Sequence, residues 1–254
     1  YVLESKIKES FAAVEISLPD IIKLLLDLKD EFNIQNSDVD TILKAVKLDN
    51  EKSKEQRDYL YSRIKEYINS CQRCLLYAQE NHTHKVAGEG SLNSPLVLIG
   101  EGPGFDEDKL GRPFVGRAGQ LLTTILNKMD IRREKVYITN VIKCRPPQNR
   151  TPLQKEIKAC SKNLELELSL IQPKVIIALG AVPLNYFKSG SSIMRERGQW
   201  INSRDYWIMP TFHPAYILRQ HGKTLNKVKW LVWQDFNEAV AKAKEMCPEY
   251  DFSS

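Results

Sequence analysis

Residues 95–104 read Pro-Leu-Val-Leu-Ile-Gly-Glu-Gly-Pro-Gly, a short apolar run that ends in a glycine-rich loop. A run of this length without polar alternation is typical of a strand that is buried on both faces of a parallel sheet. Three similar runs follow, at 136–142, 175–180 and 206–211. Segments with helical periodicity lie between and after them, at 117–129, 153–171, 181–187 and 224–245. This order predicts an α/β fold, a three-layer sandwich with a central four-stranded parallel sheet.

Composition and charge narrow the class of protein. The chain has 254 residues, of which 42% are hydrophobic and 27% charged, as in ordinary globular proteins. No apolar run approaches the roughly 18 residues that span a bilayer, and charged residues stand where a secretory leader would have its apolar core. Residues 1–70 carry 14 acidic and 11 basic side chains, whereas the rest of the chain carries 18 acidic and 26 basic. An acidic leader before a basic body indicates two units, of which the second suits a polyanion; a solvated basic surface is the alternative.

Unusual residues follow the predicted strands at the end where α/β sheets bind ligands. Asn140 interrupts an apolar strand, and its amide can read a pyrimidine edge because it offers one acceptor and two donors. Phe114 lies between two glycines outside any periodic pattern, so its ring could stack on a planar ligand or fill the core. His213 comes just after the fourth strand, in a position that suits chemistry, although a lone histidine is more often structural.

One further pattern concerns the cysteines. Cys71 and Cys74 form a C-x2-C pair, a common half of a metal or cluster site. Without a secretory leader, disulfides are not expected.

Longer motifs occur in a fixed order and carry a resemblance to a known family. They are Gly100-Glu-Gly-Pro-Gly104, Gly111-Arg-Pro-Phe-Val-Gly-Arg-Ala-Gly-Gln120, Tyr137-Ile-Thr-Asn140, Lys143-Cys-Arg-Pro-Pro147 and His213-Pro-Ala-Tyr-Ile-Leu-Arg219. With these motifs the chain resembles the iron–sulfur uracil-DNA glycosylases, family 4 of that superfamily, over about residues 67–245. Residues 67–254 are therefore expected to form the glycosylase domain. Residues 1–66 lie outside the resemblance and are expected to form a helical extension, of unknown role, that could contact a protein partner.

The resemblance implies a DNA repair enzyme. It would hydrolyse the N-glycosidic bond of deoxyuridine in DNA, release uracil and leave an abasic site for base excision repair. The base would be flipped out of the helix into a pocket. There Asn140 would pair with the uracil edge, Phe114 would stack on its ring, and His213 would donate to the O2 atom of the leaving anion. Backbone groups of Gly102 and Gly104 would line the pocket floor.

Two carboxylates are candidates for the residue that positions the attacking water. The best-known branch of the superfamily has an aspartate at the place of Gly102, which this chain lacks. Glu101 and Glu107 are the candidate catalytic carboxylates, and one of them would orient water or offset the cationic sugar. Some relatives block the 5-methyl group of thymine with a tyrosine at the place of Gly104, which glycine cannot do.

The resemblance also implies a cofactor. Cys71, Cys74, Cys144 and Cys160 would hold a structural [4Fe–4S] cluster, since four thiolates without a nearby histidine suit such a cluster. Zinc is the alternative on ligand chemistry alone. Cys247 lies outside this set and is expected to be a free thiol.

Two basic stretches without acidic residues, 135–155 and 206–234, adjoin the predicted strand ends and are expected to contact DNA. The expected DNA-binding residues are Arg145, Arg150, Leu218, Arg219 and Lys223. Leu218 and Arg219 lie in the loop that relatives insert into the minor groove to fill the gap left by the flipped base. The expected partner is uracil-containing DNA, single- or double-stranded, bound by a monomer in the cytoplasm with the nucleoid, with no membrane involved.

Two other functions compete with this interpretation. The chain could be an iron–sulfur protein that binds DNA without hydrolysis, or a glycosylase for another deaminated base such as hypoxanthine. Asn140 argues against the second alternative because its amide suits a pyrimidine edge.

Overall fold

The computed structural model of this chain describes residues 54–79, 83–203 and 205–253. The helices in these ranges are α1 (Lys54–Ser70), α2 (Phe105–Leu110), α3 (Arg117–Lys128), α4 (Gln154–Ile171), α5 (Ala181–Phe187), α6 (Ile193–Glu196), α7 (Pro214–Leu218) and α8 (Gly222–Met246). The strands are β1 (Glu89–Gly90), β2 (Leu96–Gly100), β3 (Tyr137–Asn140), β4 (Val175–Leu179), β5 (Ile201–Asn202) and β6 (Trp207–Thr211). Short 3-10 turns occur at Leu75–Ala78, Arg133–Lys135 and Pro147–Asn149.

The six strands form one mixed sheet in the order β1-β3-β2-β4-β6-β5. The four central strands are parallel, as the sequence predicted. The edge strands β1 and β5 pair antiparallel with β3 and β6. Each edge strand has only two residues, so no periodic pattern could reveal it in the sequence.

Helices cover both faces of the sheet, which confirms the three-layer architecture. Leu96 and Leu98 of β2 pack into one apolar cluster with residues of α3, α7 and α8. Val97 and Ile99 point to the opposite side and pack with residues of α4 and α5. Because successive strand residues face opposite sides, continuous apolar strands are needed to bury both faces.

The helix after β6 differs from the sequence expectation in one detail. His213 caps α7, and Leu218 is the last residue of that helix rather than part of an irregular loop. Five residues are too few to show a helical period, whereas the proline at the first helical position does favour a helix start.

The chain divides into two compact units, Tyr1–Leu60 and Tyr61–Ser254. The boundary expected after residue 66 falls within α1, which spans Lys54–Ser70. Most of the expected extension lies outside the described residues. Among the helices described here, none is long and apolar enough to cross a membrane.

Candidate active site

The parallel strands bring the singled-out residues to one edge of the sheet. Gly100 at the end of β2 is paired in register with Asn140 at the end of β3. Thr211, at the end of β6, pairs with Leu179 of β4, and His213 follows two residues later. The structure therefore places the glycine loop, Asn140 and His213 at the carboxyl ends of three parallel strands.

Asn140 carries a buried amide with one unsatisfied atom. The residue is only 2% exposed, and no described group donates a hydrogen bond to its Oδ1. Its backbone carbonyl is occupied, because it accepts a hydrogen bond from Lys143 Nζ at 2.9 Å. A buried acceptor without a partner is costly, so this oxygen is prepared for a ligand that donates to it.

Gly100 provides the space that this amide needs. A Cβ atom on Gly100 would lie 2.4 Å from Asn140 Oδ1 and 2.5 Å from Phe114 Cζ. Any side chain at this position would displace either the amide or the ring. The glycine at the strand end is therefore required by close approach, and not by its backbone angles.

Phe114 is held beside His213 in a strained backbone conformation. Its φ is 51°, in the left-handed region that non-glycine residues rarely adopt. Its buried ring stacks on the His213 ring with centroids 5.6 Å apart and planes 30° apart. Such strain at a ring on a loop is a feature of ligand-binding sites.

His213 is a neutral imidazole with a fixed tautomer. Burial lowers the pKa of His213 to about 4, and the positive charge of Arg219 contributes in the same direction. Nδ1 accepts a hydrogen bond from the backbone N–H of Ala215 at 3.1 Å. The proton must then reside on Nε2, which is left as a hydrogen-bond donor. Gly180, with a φ of 98°, lies against this residue, since a Cβ there would be 3.2 Å from His213 Cβ.

The carboxylate of Glu107 joins the two glycine-rich loops. Oε1 accepts hydrogen bonds from the backbone N–H groups of Val115 at 3.0 Å and Gly116 at 2.9 Å. Oε2 accepts from the backbone N–H of Gly104 at 3.2 Å. Three donors thus occupy this side chain, and two of them belong to the segment that carries Phe114.

Glu101 lies in a different environment at the end of β2. Burial raises the pKa of its carboxyl, and the positive charge of Arg219 partly offsets that increase. Its backbone carbonyl accepts a hydrogen bond from Ile142 N at 3.2 Å, which extends the pairing of β2 with β3. Arg219 thus influences both Glu101 and His213.

The remaining glycines of the first loop are closely packed. A Cβ on Gly102 would lie 2.6 Å from Ile142 Cγ1, and one on Gly104 would lie 2.8 Å from Glu107 Oε2. Side chains on this loop would therefore collide with Ile142 or with the bridging carboxylate.

The four cysteines of the expected set lie near one another on the α4 side of the sheet. Burial raises the pKa of the Cys144 thiol, and Cys160, Cys74 and Cys71 raise it further. Cys160 Sγ accepts hydrogen bonds from Lys143 N at 3.3 Å and Asn163 Nδ2 at 3.5 Å. Across the described ranges, no three Cys, His, Asp or Glu side chains are grouped closely enough to hold a single metal ion.

The structure separates the expected DNA-binding residues by their partners. Arg145 lies over the exposed ring of Phe105 at 5.1 Å, and its Nε donates to Asn149 Oδ1 at 2.7 Å. Arg150 forms a bidentate ion pair with Glu156 at 2.7 and 2.9 Å, so its charge is already compensated. The exposed ones are Leu218, Arg219 and Lys223.

Sequence reasoning placed Lys143 in a basic DNA-facing stretch, and the structure corrects this. Lys143 is buried, and its Nζ donates to Glu167 Oε2 at 2.6 Å, Thr139 Oγ1 at 2.6 Å and Asn140 O at 2.9 Å. Glu167 also accepts from Gly88 N at 2.7 Å. No signal in the sequence distinguishes this lysine from its solvated neighbours, because its partner lies on α4.

The strand-end glycines of the site, by contrast, could be identified from the sequence. Gly100 and Gly180 each end an apolar run.

Comparison with known proteins matches the same region. The family model of the uracil DNA glycosylase superfamily matches residues 87–237. A type-4 uracil-DNA glycosylase of Thermotoga maritima is 44% identical over 194 residues, which cover 74% of this chain and 97% of that protein. A type-4 uracil-DNA glycosylase of Sulfurisphaera tokodaii is 43% identical over 198 residues, covering 74% and 88%. One from Pyrobaculum aerophilum is 37% identical over 167 residues, covering 62% and 84%.

Proposed function

Because the chain belongs to the type-4 uracil-DNA glycosylases, we propose that Asn140, Phe114 and His213 bind the flipped uracil and promote its release. The enzyme excises uracil from DNA in DNA repair. It is a hydrolase that acts on the N-glycosyl bond between the base and the sugar. Each residue of the site has a separate role in base recognition, leaving-group stabilisation or water positioning.

The observation that carries the proposal is the unsatisfied Oδ1 of Asn140. Uracil presents an N3–H donor beside the O4 acceptor. The Asn140 amide complements both, since Oδ1 accepts from N3–H and Nδ2 donates to O4. Cytosine presents an acceptor at N3 and a donor at N4, so it would leave the amide mismatched and unpaired. Burial of the amide makes that mismatch costly in free energy, which gives a preference for uracil over cytosine.

Phe114 supplies the face on which the base stacks. Its ring is placed next to both Asn140, through the space over Gly100, and the His213 ring. A base that pairs with the Asn140 amide would therefore come within reach of both rings. Stacking on the ring would recover part of the energy lost when the base leaves the helix.

His213 stabilises the leaving group. When the bond between N1 and C1′ breaks, its electron pair passes to the uracil ring and negative charge develops on O2. Nε2–H is a prepared donor for that oxygen, because Nδ1 is held by the Ala215 N–H. A donor already in place needs no reorganisation as the charge appears. Water then adds to C1′ of the cationic sugar and loses a proton, which leaves an abasic site.

The two carboxylates take different roles in this proposal. Glu107 is a positioning residue, since its oxygens bind three backbone N–H groups. Glu101 is the carboxylate that orients water or offsets the cationic sugar. Support for this division is that three backbone N–H groups occupy the Glu107 carboxylate, whereas the Glu101 carboxylate lies at the end of β2 within the electrostatic influence of Arg219.

DNA is held by the basic and apolar groups around this edge. Arg145, Arg219 and Lys223 contact phosphates, and Leu218 fills the gap left by the flipped base. Leu218 is an exposed apolar residue at the end of α7, which suits this role. Arg150 contributes less, because Glu156 compensates its charge.

Cys71, Cys74, Cys144 and Cys160 would hold the iron–sulfur cluster. The donor set fits such a group, since neighbouring cysteines contribute to the raised pKa of the Cys74, Cys144 and Cys160 thiols, and two N–H groups point at Cys160 Sγ. A four-iron cluster binds one thiolate on each iron, which needs wider spacing than the four sulfurs around one zinc ion. The cluster would supply structural cross-linking and no step of the hydrolysis.

The wider setting follows from the substrate. We propose that the enzyme acts as a monomer on single- or double-stranded DNA, in the cytoplasm with the nucleoid. Residues 1–66 would form a separate contact for another protein.

The experiment uses end-labelled oligonucleotides that differ at one position, which holds uracil, cytosine, thymine or hypoxanthine. After incubation with the enzyme and treatment with alkali, strand breaks are expected at uracil and not at cytosine. Asn140→Asp should lose most of this activity, because the carboxylate cannot donate to O4. If the enzyme binds the uracil-containing strand but produces no breaks, the proposed hydrolysis is contradicted. If Asn140→Asp keeps full activity on uracil, Asn140 is not the residue that recognises the uracil edge.

A further inference from the structure

The exposed side of α8 carries two tryptophans that neither the core nor the active site uses, together with lysines, one of which is the proposed phosphate contact Lys223. Trp230 is 59% exposed and Trp233 is 37% exposed. Lys223 and Lys227 precede them and are exposed as well. We call these four residues the Lys–Trp face.

The spacing of the Lys–Trp face places its members on one side of the helix. Successive members lie four, three and three residues apart, and residues at such intervals are neighbours on a helix surface. With a rise of about 1.5 Å per residue, the face extends about 15 Å along the axis. It begins close to the active-site edge, since α8 starts three residues after Arg219.

Packing does not explain the two exposed indoles. The buried side of α8 is made by Val228, Val232 and Phe236, which pack into the core. Trp200 and Trp207, by contrast, pack edge to face with centroids 6.1 Å apart, and Lys242 lies 4.4 Å above the Trp207 ring. The indoles of Trp230 and Trp233 are therefore available for a ligand, while those of Trp200 and Trp207 contribute to internal packing.

Charge identifies the kind of ligand. Residues 206–234 include four basic side chains and no acidic one. Lysines are depleted from the centres of protein–protein interfaces, whereas alternating cations and aromatic rings are the usual construction of a surface for single-stranded nucleic acid. In a duplex the base faces are stacked on one another, so an indole can reach them only where the strand is unpaired.

We propose that the Lys–Trp face binds a single-stranded segment of DNA that flanks the flipped nucleotide. The ammonium groups of Lys223 and Lys227 contact phosphates, and the indoles of Trp230 and Trp233 stack on unpaired bases. This inference rests on the proposed function in one respect, because the strand bound by the Lys–Trp face is the strand whose flipped nucleotide enters the active site. The consequence is tighter binding of single strands than the pocket alone would provide.

The test compares the unsubstituted 254-residue chain with a Trp230→Ala/Trp233→Ala variant. Binding is measured by fluorescence anisotropy with labelled oligothymidylate, which contains no uracil, and with a duplex of the same length. The variant should bind the single strand about 5- to 20-fold more weakly, from the usual contribution of stacked bases, and the duplex less than about twofold more weakly. Met246→Ala removes an exposed side chain from the far end of α8 and should change neither affinity.

Two further measurements separate the possible failures. A Trp230→Phe/Trp233→Phe variant keeps rings that can stack, so it should retain most of the single-strand affinity if the alanine variant loses it. Uracil release from a short oligonucleotide at saturating enzyme should be the same in all variants. Absence of release in every protein would refute the proposed function instead.

Several outcomes would overturn the inference. Unchanged affinity in the alanine variant would remove the role of the indoles. Equal losses on single strands and duplex would show that phosphate contacts alone are involved. If the alanine variant differs from the unsubstituted protein in oligomeric mass but binds DNA with the same affinity, this face contacts a second copy of the chain instead.

Discussion

At the scale of single residues, His213 and Asn140 are prepared in opposite ways. One nitrogen of His213 is held by the Ala215 N–H, which leaves the other nitrogen as a donor. Oδ1 of Asn140 has no donor among the described groups, which leaves it as an acceptor. A planar base with a donor on one side and a developing anion on the other satisfies both residues at once.

Replacement of His213 should affect the chemical step rather than binding. His213→Ala should lower the single-turnover rate by an amount equivalent to about 2–4 kcal/mol, the usual effect of a lost oxyanion donor. Its affinity for uncleaved DNA should hardly change. Arg219→Ala is the matched control, since it should weaken duplex binding and flatten the salt dependence by about one unit of slope. If His213→Ala loses affinity but keeps its rate, the assignment is wrong.

The pH dependence of the single-turnover rate and of the stability follows from the pKa of about 4 for His213. The ring stays neutral throughout the range around its ordinary value, about 6.5. The ratio of wild-type to His213→Ala single-turnover rates should therefore be constant from about pH 5.5 to 8. Because the unfolded imidazole binds a proton near pH 6.5 and the folded one only near pH 4, stability should decrease as the pH falls through this window. An inflection of the rate ratio near pH 6.5 would contradict the neutral imidazole.

At the scale of elements, the site depends on two buried or partly buried carboxylates that fasten segments together. Glu107 ties α2 to the Phe114 segment through backbone N–H groups. Glu167 of α4 accepts from Lys143, just past β3, and from Gly88 before β1. Neither carboxylate needs to touch the substrate in order to determine where Asn140 and Phe114 lie.

The role of Glu107 can be separated from water activation by two variants. Glu107→Ala removes the acceptor for three N–H groups and should lower the free energy of unfolding by about 1–3 kcal/mol, with a parallel loss of uracil affinity. Glu107→Gln keeps one acceptor oxygen, so it should recover a large part of both. If the glutamine variant is as inactive as the alanine variant while it is fully stable, Glu107 acts in the chemistry instead.

The buried pair Lys143–Glu167 should be sensitive to removal of one partner. Lys143→Met leaves an uncompensated buried carboxylate and should lower the free energy of unfolding by about 3–5 kcal/mol. The double variant Lys143→Met/Glu167→Gln should be more stable than Lys143→Met alone, because it leaves no buried charge. Chemical denaturation measures both. Arg132→Ala breaks the exposed pair with Glu134 and serves as the control that hardly changes stability.

At the scale of the whole molecule, the proposed cluster joins distant parts of the chain. Cys71 and Cys74 follow α1, Cys144 follows β3, and Cys160 belongs to α4. A cross-link over so long a stretch restricts the unfolded chain strongly. Strand β3, which carries the proposed uracil-binding residue Asn140, leads directly into this region, so loss of the cluster should loosen the base of the pocket.

Removal of one proposed ligand should therefore destabilise the fold more than it alters the chemistry. Cys144→Ala should lose iron and acid-labile sulfide and the visible absorbance of the cluster. Its stability should fall by about 4 kcal/mol, as expected for opening a loop of this length. Cys247→Ala is the matched control, since Cys247 lies outside the set and should keep its iron. A colourless wild-type protein with one zinc per chain would contradict the cluster.

The amino-acid sequence by itself determined the framework of this protein. Continuous apolar runs indicated the four parallel strands, helical periodicity indicated the layers that cover them, and the motifs indicated the glycosylase family. These features are local, because burial of a strand or a helix face is written in consecutive residues. The position of Asn140 and His213 at one edge followed from the same reasoning, since parallel strands share a carboxyl edge.

Only the tertiary structure decided which polar groups are already occupied. Lys143 and Arg150 look alike in sequence, yet one is buried on Glu167 and the other is paired with Glu156 at the surface. Glu101 and Glu107 are both acids of one loop region, yet only Glu107 holds three backbone N–H groups. The reason is physical: desolvation and hydrogen bonding depend on which distant segment packs against a residue, and neighbours in sequence do not specify that segment.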